Sequence, residues 1–552
     1  MTEFFILLRC GLRNSGTVRK LGLGFTPQMR TWGTLLVFLV AGVSNVAAQQ
    51  IPSRAAPALK AAQVVQEIRD YRMNNEDRIV RELTEFLAIP NVASDAENIQ
   101  KNAVRLQAML EARGIETHLL PITGRGPVVF GKLNTPNARR TVIFYAHYDG
   151  QPVDASAWTD GKPFEPALRS GSIESGGQRI EFPSNSAQHP AIYSDDWRIY
   201  ARSSSDDKSP IVALLAALDA LRANKIALAV NLKLILEGEE EDGSQNLERV
   251  LLAHKNLLDA DLLISGDGPV HQSGRPLIFF GNRGILGFQV TTYGAIRALH
   301  SGHYGNWVPN PGFSLARLLT SMKSADGKVL IDGFYDDIVP LNTTEKDALA
   351  AMPNNDGDVQ RELEFAKPQG GQHLAESLQF PSLNIRGLRS AYVGEQTQNV
   401  VPEKAVAAID IRLVKGEDPD QKFEQVLKHI RKQGFYVTAD EPSKEERLAH
   451  AEIARVVRDS SNYPASRTSM ELPVSQALIK TVQEGTNGET VVAPMLGGSV
   501  PMYIFENLGM PWIGVPIVNY DNHQHSSDEN LRLGQLWRGI EVYGAILADL
   551  DW

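Results

Sequence analysis

Five short segments of the sequence combine residue types that do chemistry. They are Ala146-His147-Tyr148-Asp149-Gly150, Ser203-Ser204-Ser205-Asp206-Asp207-Lys208, Glu237-Gly238-Glu239-Glu240-Glu241-Asp242-Gly243, Ser265-Gly266-Asp267-Gly268 and His523-Gln524-His525-Ser526. Two or more imidazoles with three or more carboxylates suit a borderline-to-hard divalent ion such as Zn²⁺ or Mn²⁺. Each segment alone has an ordinary explanation: His-x-Asp at a strand end is commonly a structural hydrogen-bond pair, and an acid run is commonly a solvated face. Here, however, the acid run directly follows the apolar stretch Leu232–Leu236. Acids that close a buried strand repel one another strongly unless a cation neutralises them. The ordinary explanations do not cover all five segments together.

The elements that must position these residues follow from hydrophobic pattern. Thr141–Ala146, Leu228–Leu236, Asp261–Ile264 and Trp512–Val518 are short apolar runs of β type. Between the first two, Ile211, Leu214, Leu215, Leu218 and Leu221 share one face of a helix. Strands alternating with amphipathic helices predict an α/β sheet that is largely parallel. Such a sheet builds its site at the carboxyl ends of its strands, where the five segments fall. From about Gly287 to Tyr463 the pattern changes to Gly-rich turns, an alternating strand at Ala405–Val414 and a helix at Phe423–Gln433, which predicts an inserted α+β domain. Residues 165–190 and 340–375 are polar and rich in Gly, Pro and Asn, and read as surface loops.

The chain has 552 residues, is 43% hydrophobic and 22% charged, and carries a formal net charge of -10. That is ordinary globular composition. An acidic chain without a basic run is a poor partner for a phosphate backbone, so nucleic acid is not expected as a ligand. At the N-terminus, Arg30 precedes the apolar run Thr34–Val43 and the small residues Val46-Ala47-Ala48. This reads as a secretory signal covering residues 1–48, with Met29 an alternative start, and the run is too short to span a membrane. Retention of the run as an N-terminal anchor is the alternative. Removing residues 1–48 takes the net charge to -14 and also removes Cys10, the one cysteine. The mature chain then has no thiolate site, and any metal is held by His and carboxylates.

Taken in order, the segments resemble the M20 family of metallopeptidases, in its dipeptidase and carnosinase branch. The family pattern of His-x-Asp, Gly-Arg-Gly-x-x-Asp-x-Lys-Gly, Glu-Gly-x-Glu-Glu-x-Gly-Ser, Asp and a late Gly-x-His-Ser is met across most of residues 80–552. Ala201-Arg202-Ser203 and Ser209 stand where the family has glycines around Asp206, and Asn522-His523-Gln524 replaces the glycine before the last His. The resemblance implies a mostly parallel two-metal catalytic domain (49–286 and 464–552) with an inserted smaller α+β lid and dimerisation domain (287–463). It implies two divalent ions per chain, Zn²⁺ first, with Mn²⁺ or Co²⁺ as alternatives. Asp206 would bridge them, His147 and Asp267 would complete one site, and Glu241 and His525 the other, with His523 the competitor for the last place. Asp149 would orient His147, and Glu240 would be the general base. Glu239, Glu240 and Glu241 leave a one-residue ambiguity of register, resolved by aligning Gly243-Ser244 with the family's Gly-Ser.

The same resemblance assigns substrate contacts to His300, for the developing oxyanion, to Arg412, for a substrate carboxylate, and to Asn399 and Ser499, lining the pocket. The function expected is a secreted, periplasmic hydrolase of dipeptides or short peptides. An N-acyl amino acid deacylase or amidase of the same family is the alternative. A catalytically silent peptide-binding protein is disfavoured by the presence of Glu240 and every ligand. A homodimer lending His300 between subunits, with no stable membrane span after signal removal, completes the expectation.

Overall fold

The structure is a computed structural model and describes residues 60–183 and 192–552. The expected signal segment 1–48 lies outside the described residues. Among the described residues, no helix is long and apolar enough to cross a membrane.

The apolar runs assemble into an eight-stranded sheet. Its order is Glu116–Leu120, Val128–Leu133, Asn231–Glu237, Thr141–His147, Leu262–Ser265, Trp512–Gly514, Leu277–Phe279 and Val491–Ala493. Thr141–His147 runs parallel to both neighbours, Asn231–Glu237 and Leu262–Ser265, and the latter runs parallel to Trp512–Gly514. Residues 142–147 are buried without alternation, as expected of a strand covered on both faces. One cover is the helix Lys208–Ala223, apolar almost all round. It is packed against the C-terminal helix Leu533–Asp549, which also meets Ala61–Met73. The antiparallel pairs lie toward the edges of the sheet. The fold is thus α/β with a mostly parallel main sheet.

A second sheet has five strands in the order Ser382–Ser390, Lys404–Leu413, Gly284–Tyr293, Ile453–Arg458 and Tyr436–Thr438. It has its own core, with Phe288, Leu315, Ile409 and Ile430 among its buried members. The helix Pro419–Lys432 lies over it, started by Asp418, whose carboxylate accepts from the amides of Asp420 and Gln421. The strand Gly284–Tyr293 opens this sheet slightly ahead of the expected boundary at 287.

Two of the expected loops are corrected. Residues 340–375 hold the helices Thr343–Ala351 and Asp356–Glu362 and the start of Leu374–Ser377. The first carries a capping box, Asn342 and Glu345 each accepting the other's amide, a local signal that outweighs the polar composition. Within 165–190, Ala167–Arg169 and Arg179–Ile180 form half of a four-stranded sheet with Arg198–Tyr200 and Asn530–Arg532.

Close packing at the end of the main sheet depends on one glycine. A Cβ at Gly514 would lie 2.1 Å from two atoms of the buried Phe279 ring, which also packs edge-on against Trp512. The ring is boxed in and cannot swing away cheaply. Gly514→Ala should therefore destabilise the protein by about 1–3 kcal/mol through overpacking, read as a lower midpoint in urea unfolding. An unchanged midpoint would show that the sheet end can relax.

Candidate metal centre

The main sheet delivers the five segments to one edge. His147 ends Thr141–His147, Glu237 ends its parallel neighbour, and Asp267 lies two residues past Ser265. Asp206 immediately precedes the cap of the helix Lys208–Ala223. His525 comes from the turn region between Trp512–Gly514 and Asn530–Arg532. Parallel neighbours place their carboxyl ends side by side, so residues 147, 237 and 265 arrive together although far apart in sequence.

His147, Asp206 and Glu241 offer ligand atoms that all lie within 4.8 Å of one another. His147 Nε2 is 2.8 Å from Asp206 Oδ1, and His525 Nε2 is 3.1 Å from Asp206 Oδ2. His525 Nε2 is also 3.4 Å from Glu241 Oε2. Asp206 thus faces an imidazole with each oxygen, the disposition of a carboxylate shared between two centres. Asp267 makes no direct contact with the group but acts electrostatically on Asp206 and His147. His523 points away and meets Glu174 at 3.4 Å, which leaves the inner place to His525.

Asp149 does two things. Its Oδ1 is 3.3 Å from His147 Nδ1, and its carboxylate accepts the backbone amides of Glu240 (3.2 Å) and Glu241 (3.0 Å). One buried side chain therefore aims both the imidazole and the acidic turn. Glu239 is turned aside, accepting from Asn246 N and Nδ2, while Glu241 also accepts from Gln151. The Glu240 carboxylate has no hydrogen-bond donor among the described residues and feels His147, Glu241 and Asp267.

The electrostatics match the crowding. Burial, with Asp206 next, pushes Glu241 up to about 8. Burial also pushes Glu237 up to about 8 and Asp267 up to about 6. Glu240 and Asp207 are raised well above the carboxylate range, again chiefly by burial. Asp206 goes the other way: burial opposes ionisation, but hydrogen bonds from His147 and His525 outweigh it. His525, held by its bond to Asp206, rises to about 9. Two further buried oxygens, Asp207 Oδ1 and Glu237 Oε1, have no hydrogen-bond partner among the described residues. A donor set of two imidazoles and several crowded carboxylates fits divalent cations.

The Asp206 loop is held by Glu529, a residue outside the sequence-predicted site. Glu529 is fully buried and accepts the amides of Ser203 (2.9 Å), Ser205 (3.0 Å) and Asp206 (2.9 Å), together with the Ser205 hydroxyl (3.0 Å). Arg202 pairs with it at 2.7 Å. The available signal was an acid four residues past His525. The loops departing from the family's glycines are also explained. Ser203, His523 and His525 take left-handed backbone, with φ of 62°, 57° and 60°, the region glycine enters most readily. The Asp206–Asp207 peptide is cis.

The expected substrate residues fall into two groups. Arg412 and Ser499 meet, Arg412 Nη1 donating to Ser499 Oγ at 2.6 Å. Tyr463 is buried, which raises its phenol, and Glu240, Arg412 and Asp267 all act on it electrostatically. His300 and Asn399 sit elsewhere, exposed on the two-stranded ribbon of Leu299–His300 and Val400–Val401. Asn399 O accepts from Ser301 N at 2.9 Å. Among the described residues, no hydrogen bond or ion pair joins this ribbon to the metal group.

Two outcomes follow from this geometry. Glu241, Glu237 and Asp267 hold protons more tightly folded than unfolded, so stability of metal-stripped protein should fall as pH rises from about 5 to about 8. Bound cations displace those protons, so the gain in Tm on adding metal should widen over the same range; a constant gain would contradict the assignment. Glu529→Gln puts an amide where three N–H groups need an acceptor and leaves Arg202 unpaired. It should cost about 3–5 kcal/mol and lower metal content at limiting supply, measured by denaturation and elemental analysis.

Comparison with known proteins agrees with the site. The family described as peptidase family M20/M25/M40 matches residues 182–549. The chain is similar to the Cys-Gly metallodipeptidase of Schizosaccharomyces pombe, 24% identical over 497 residues, covering 86% of this chain and 96% of that protein. It is similar to the human β-Ala-His dipeptidase, 25% identical over 521 residues, covering 88% and 93% respectively. Among solved structures, an M20 family metallo-carboxypeptidase from Sulfolobus solfataricus shares 29% identity at a TM-score of 0.69, covering 86% of this chain and 99% of that one. With the family matched over most of its length and the metal-ligating residue types gathered at one sheet edge, the chain belongs to peptidase family M20/M25/M40, in the metallodipeptidase branch.

Proposed function

We propose that the protein is an exported two-metal dipeptidase whose site is the His147–Asp206–Glu241 group. The observation that carries the reading is Asp206, with one imidazole on each carboxylate oxygen and Glu241 beside the second. His147 and Asp267 would hold one ion and Glu241 and His525 the other, with Asp206 shared and Zn²⁺ the first candidate. When bound, the ions acidify water and polarise the scissile carbonyl. Glu240 stands next to this group without a donor of its own. It is free to take the proton of the attacking water and pass it to the departing amine. Arg412, steadied by Ser499, offers a planar fork to the substrate carboxylate. The names of the relatives, two dipeptidases and a carboxypeptidase, favour a peptide over an N-acyl substrate.

Two further elements belong to the proposal. His300 and Asn399 would serve the site of a second copy, because they sit exposed and unconnected to the metal group of their own chain. Large apolar side chains nearby in sequence or space support a dimer face: Ile296, Trp307, Phe313 and Val393 are all exposed, and Gly312 adjoins Ser390 on the outer strand. Export rests on the apolar run Thr34–Val43 and Val46-Ala47-Ala48, and N-terminal sequencing of the mature protein starting at Gln49 would support it.

Metal-loaded protein should hydrolyse dipeptides, tested with a panel that includes N-acyl amino acids; cleavage of the N-acyl set alone would overturn the peptidase reading. Glu240→Gln should lower kcat by roughly 10²–10⁴-fold while elemental analysis still finds two metals. Loss of a metal instead would move Glu240 into the ligand set. Co-expressed Glu240→Ala and His300→Ala chains, each inactive alone, should recover about a quarter of wild-type activity if His300 acts across a two-fold interface. No recovery would place His300 in its own chain's site.

A further inference from the structure

A continuous line of contacts leads from the metal group to a large cavity. Gly268, next to the proposed ligand Asp267, has φ of 103°, and a Cβ there would lie 3.1 Å from Leu496. The following residue, Gly497, is packed so tightly that its Cβ would lie 2.9 Å from Leu378. Arg283 is fastened to the same loop, its Nε donating to Gly497 O at 2.9 Å and its backbone amide to Gly498 O at 3.0 Å. Beyond Arg283 and Leu378 opens a cavity of about 1000 Å³. That is the upper end of the volume of small-molecule sites, roughly 300–1,000 Å³.

The cavity wall is strongly apolar: Ile338, Leu363, Phe365, Leu378 and Phe380 all line it. Leu363, Phe365 and Phe380 keep much of their surface open among the described residues. Several charged groups of the wall are already engaged. Lys323 donates to Gln369 and to Leu383 O, Asp326 accepts from Ser324, and Asp356 accepts from His373 and from Leu374 N. Arg283 differs. Among the described residues no carboxylate lies within ion-pair distance of it and its terminal nitrogens donate no hydrogen bond; burial and the like charge of Arg412 disfavour its charged form, and Asp410, which meets Arg412 Nε at 3.4 Å, offsets this only in part. Two guanidinium groups thus share the carboxylate of Asp410, which leaves a place for a second anion. The planar fork makes a carboxylate the matching partner.

We propose that this cavity receives the side chain of the substrate's C-terminal residue and selects large apolar residues there, with Arg283 joining Arg412 on the terminal carboxylate. The inference rests on the peptidase reading above and narrows its substrate class. A Gly497–Ser499 loop between metal group and cavity places the scissile bond on one side and the C-terminal residue on the other.

The test measures binding of the unreactive products glycine and L-phenylalanine to metal-loaded protein by calorimetry, beside kcat/KM for Ala-Gly and Ala-Phe. Phenylalanine should bind, and Ala-Phe should react, roughly 10- to 100-fold better than the glycine counterparts. Leu363→Asp, just past the helix Asp356–Glu362, and Phe380→Ser, on a separate segment, should each shrink that ratio to within about threefold. Arg283→Gln should weaken L-phenylalanine but not L-phenylalaninamide, which lacks the carboxylate. Equal binding of glycine and phenylalanine overturns the pocket even where dipeptides are cleaved. So does a ratio unmoved by both wall variants. A phenylalanine preference abolished by the wall variants, in protein that cleaves no dipeptide, supports the pocket and removes the peptidase reading instead.

Discussion

The rest of the structure depends on an unfavourable concentration of charge. Asp206, Asp207, Glu237, Glu240, Glu241 and Asp267 converge where three parallel strands end, and most are buried. Too little water reaches them to screen the repulsion, and two imidazoles are the cations nearest to hand. The raised carboxyl groups show the protein meeting this load with protons when nothing else is supplied. Divalent cations are the counter-charge that such a cluster is suited to take in place of those protons.

Holding such groups in place requires donors that cannot drift, and the fold uses backbone amides. Asp149 takes two from the acidic turn and Glu529 takes three from the serine loop. Both carboxylates are completely buried. The chain thereby dispenses with glycine at Ser203: the left-handed backbone costs about 1–2 kcal/mol, and the Glu529 hydrogen bonds, with its Arg202 pair, offset it. Among the described residues, no member of the His147–Asp206–Glu241 group comes from the second sheet. It brings Arg412 against Ser499 of the main unit and presents the ribbon that carries His300.

Much of this was legible in the sequence because the informative pattern is local. The unbroken apolar runs before His147 and Glu237 mark buried parallel strands, and the one-sided periodicity of 211–221 marks the helix between them. The alternation of 405–414 and the helix expected at 423–433, which in the structure begins earlier at Pro419, mark the second sheet equally well. What escaped was of two kinds. Residues 340–375 were misread because overall polarity hid a capping signal only four residues long. Glu529, Tyr463 and Arg283 were passed over because their roles exist only across long sequence separations, and nothing in their immediate neighbours distinguishes them from surface residues. The same limit applies to Arg412 and Ser499, whose contact joins strand and loop across 87 residues.

The span of the Glu529 clamp sets a timetable. Ser203 and the carboxylate that holds it are 326 residues apart, and His525 arrives with the same late segment. A ribosome that has released His147, Asp206 and Glu241 has therefore made only part of a centre, with the Asp206 loop unanchored and one imidazole missing. On the proposed two-metal reading, loading awaits the last stretch of the chain, which puts uptake of the cations after synthesis and in whatever compartment the finished chain folds.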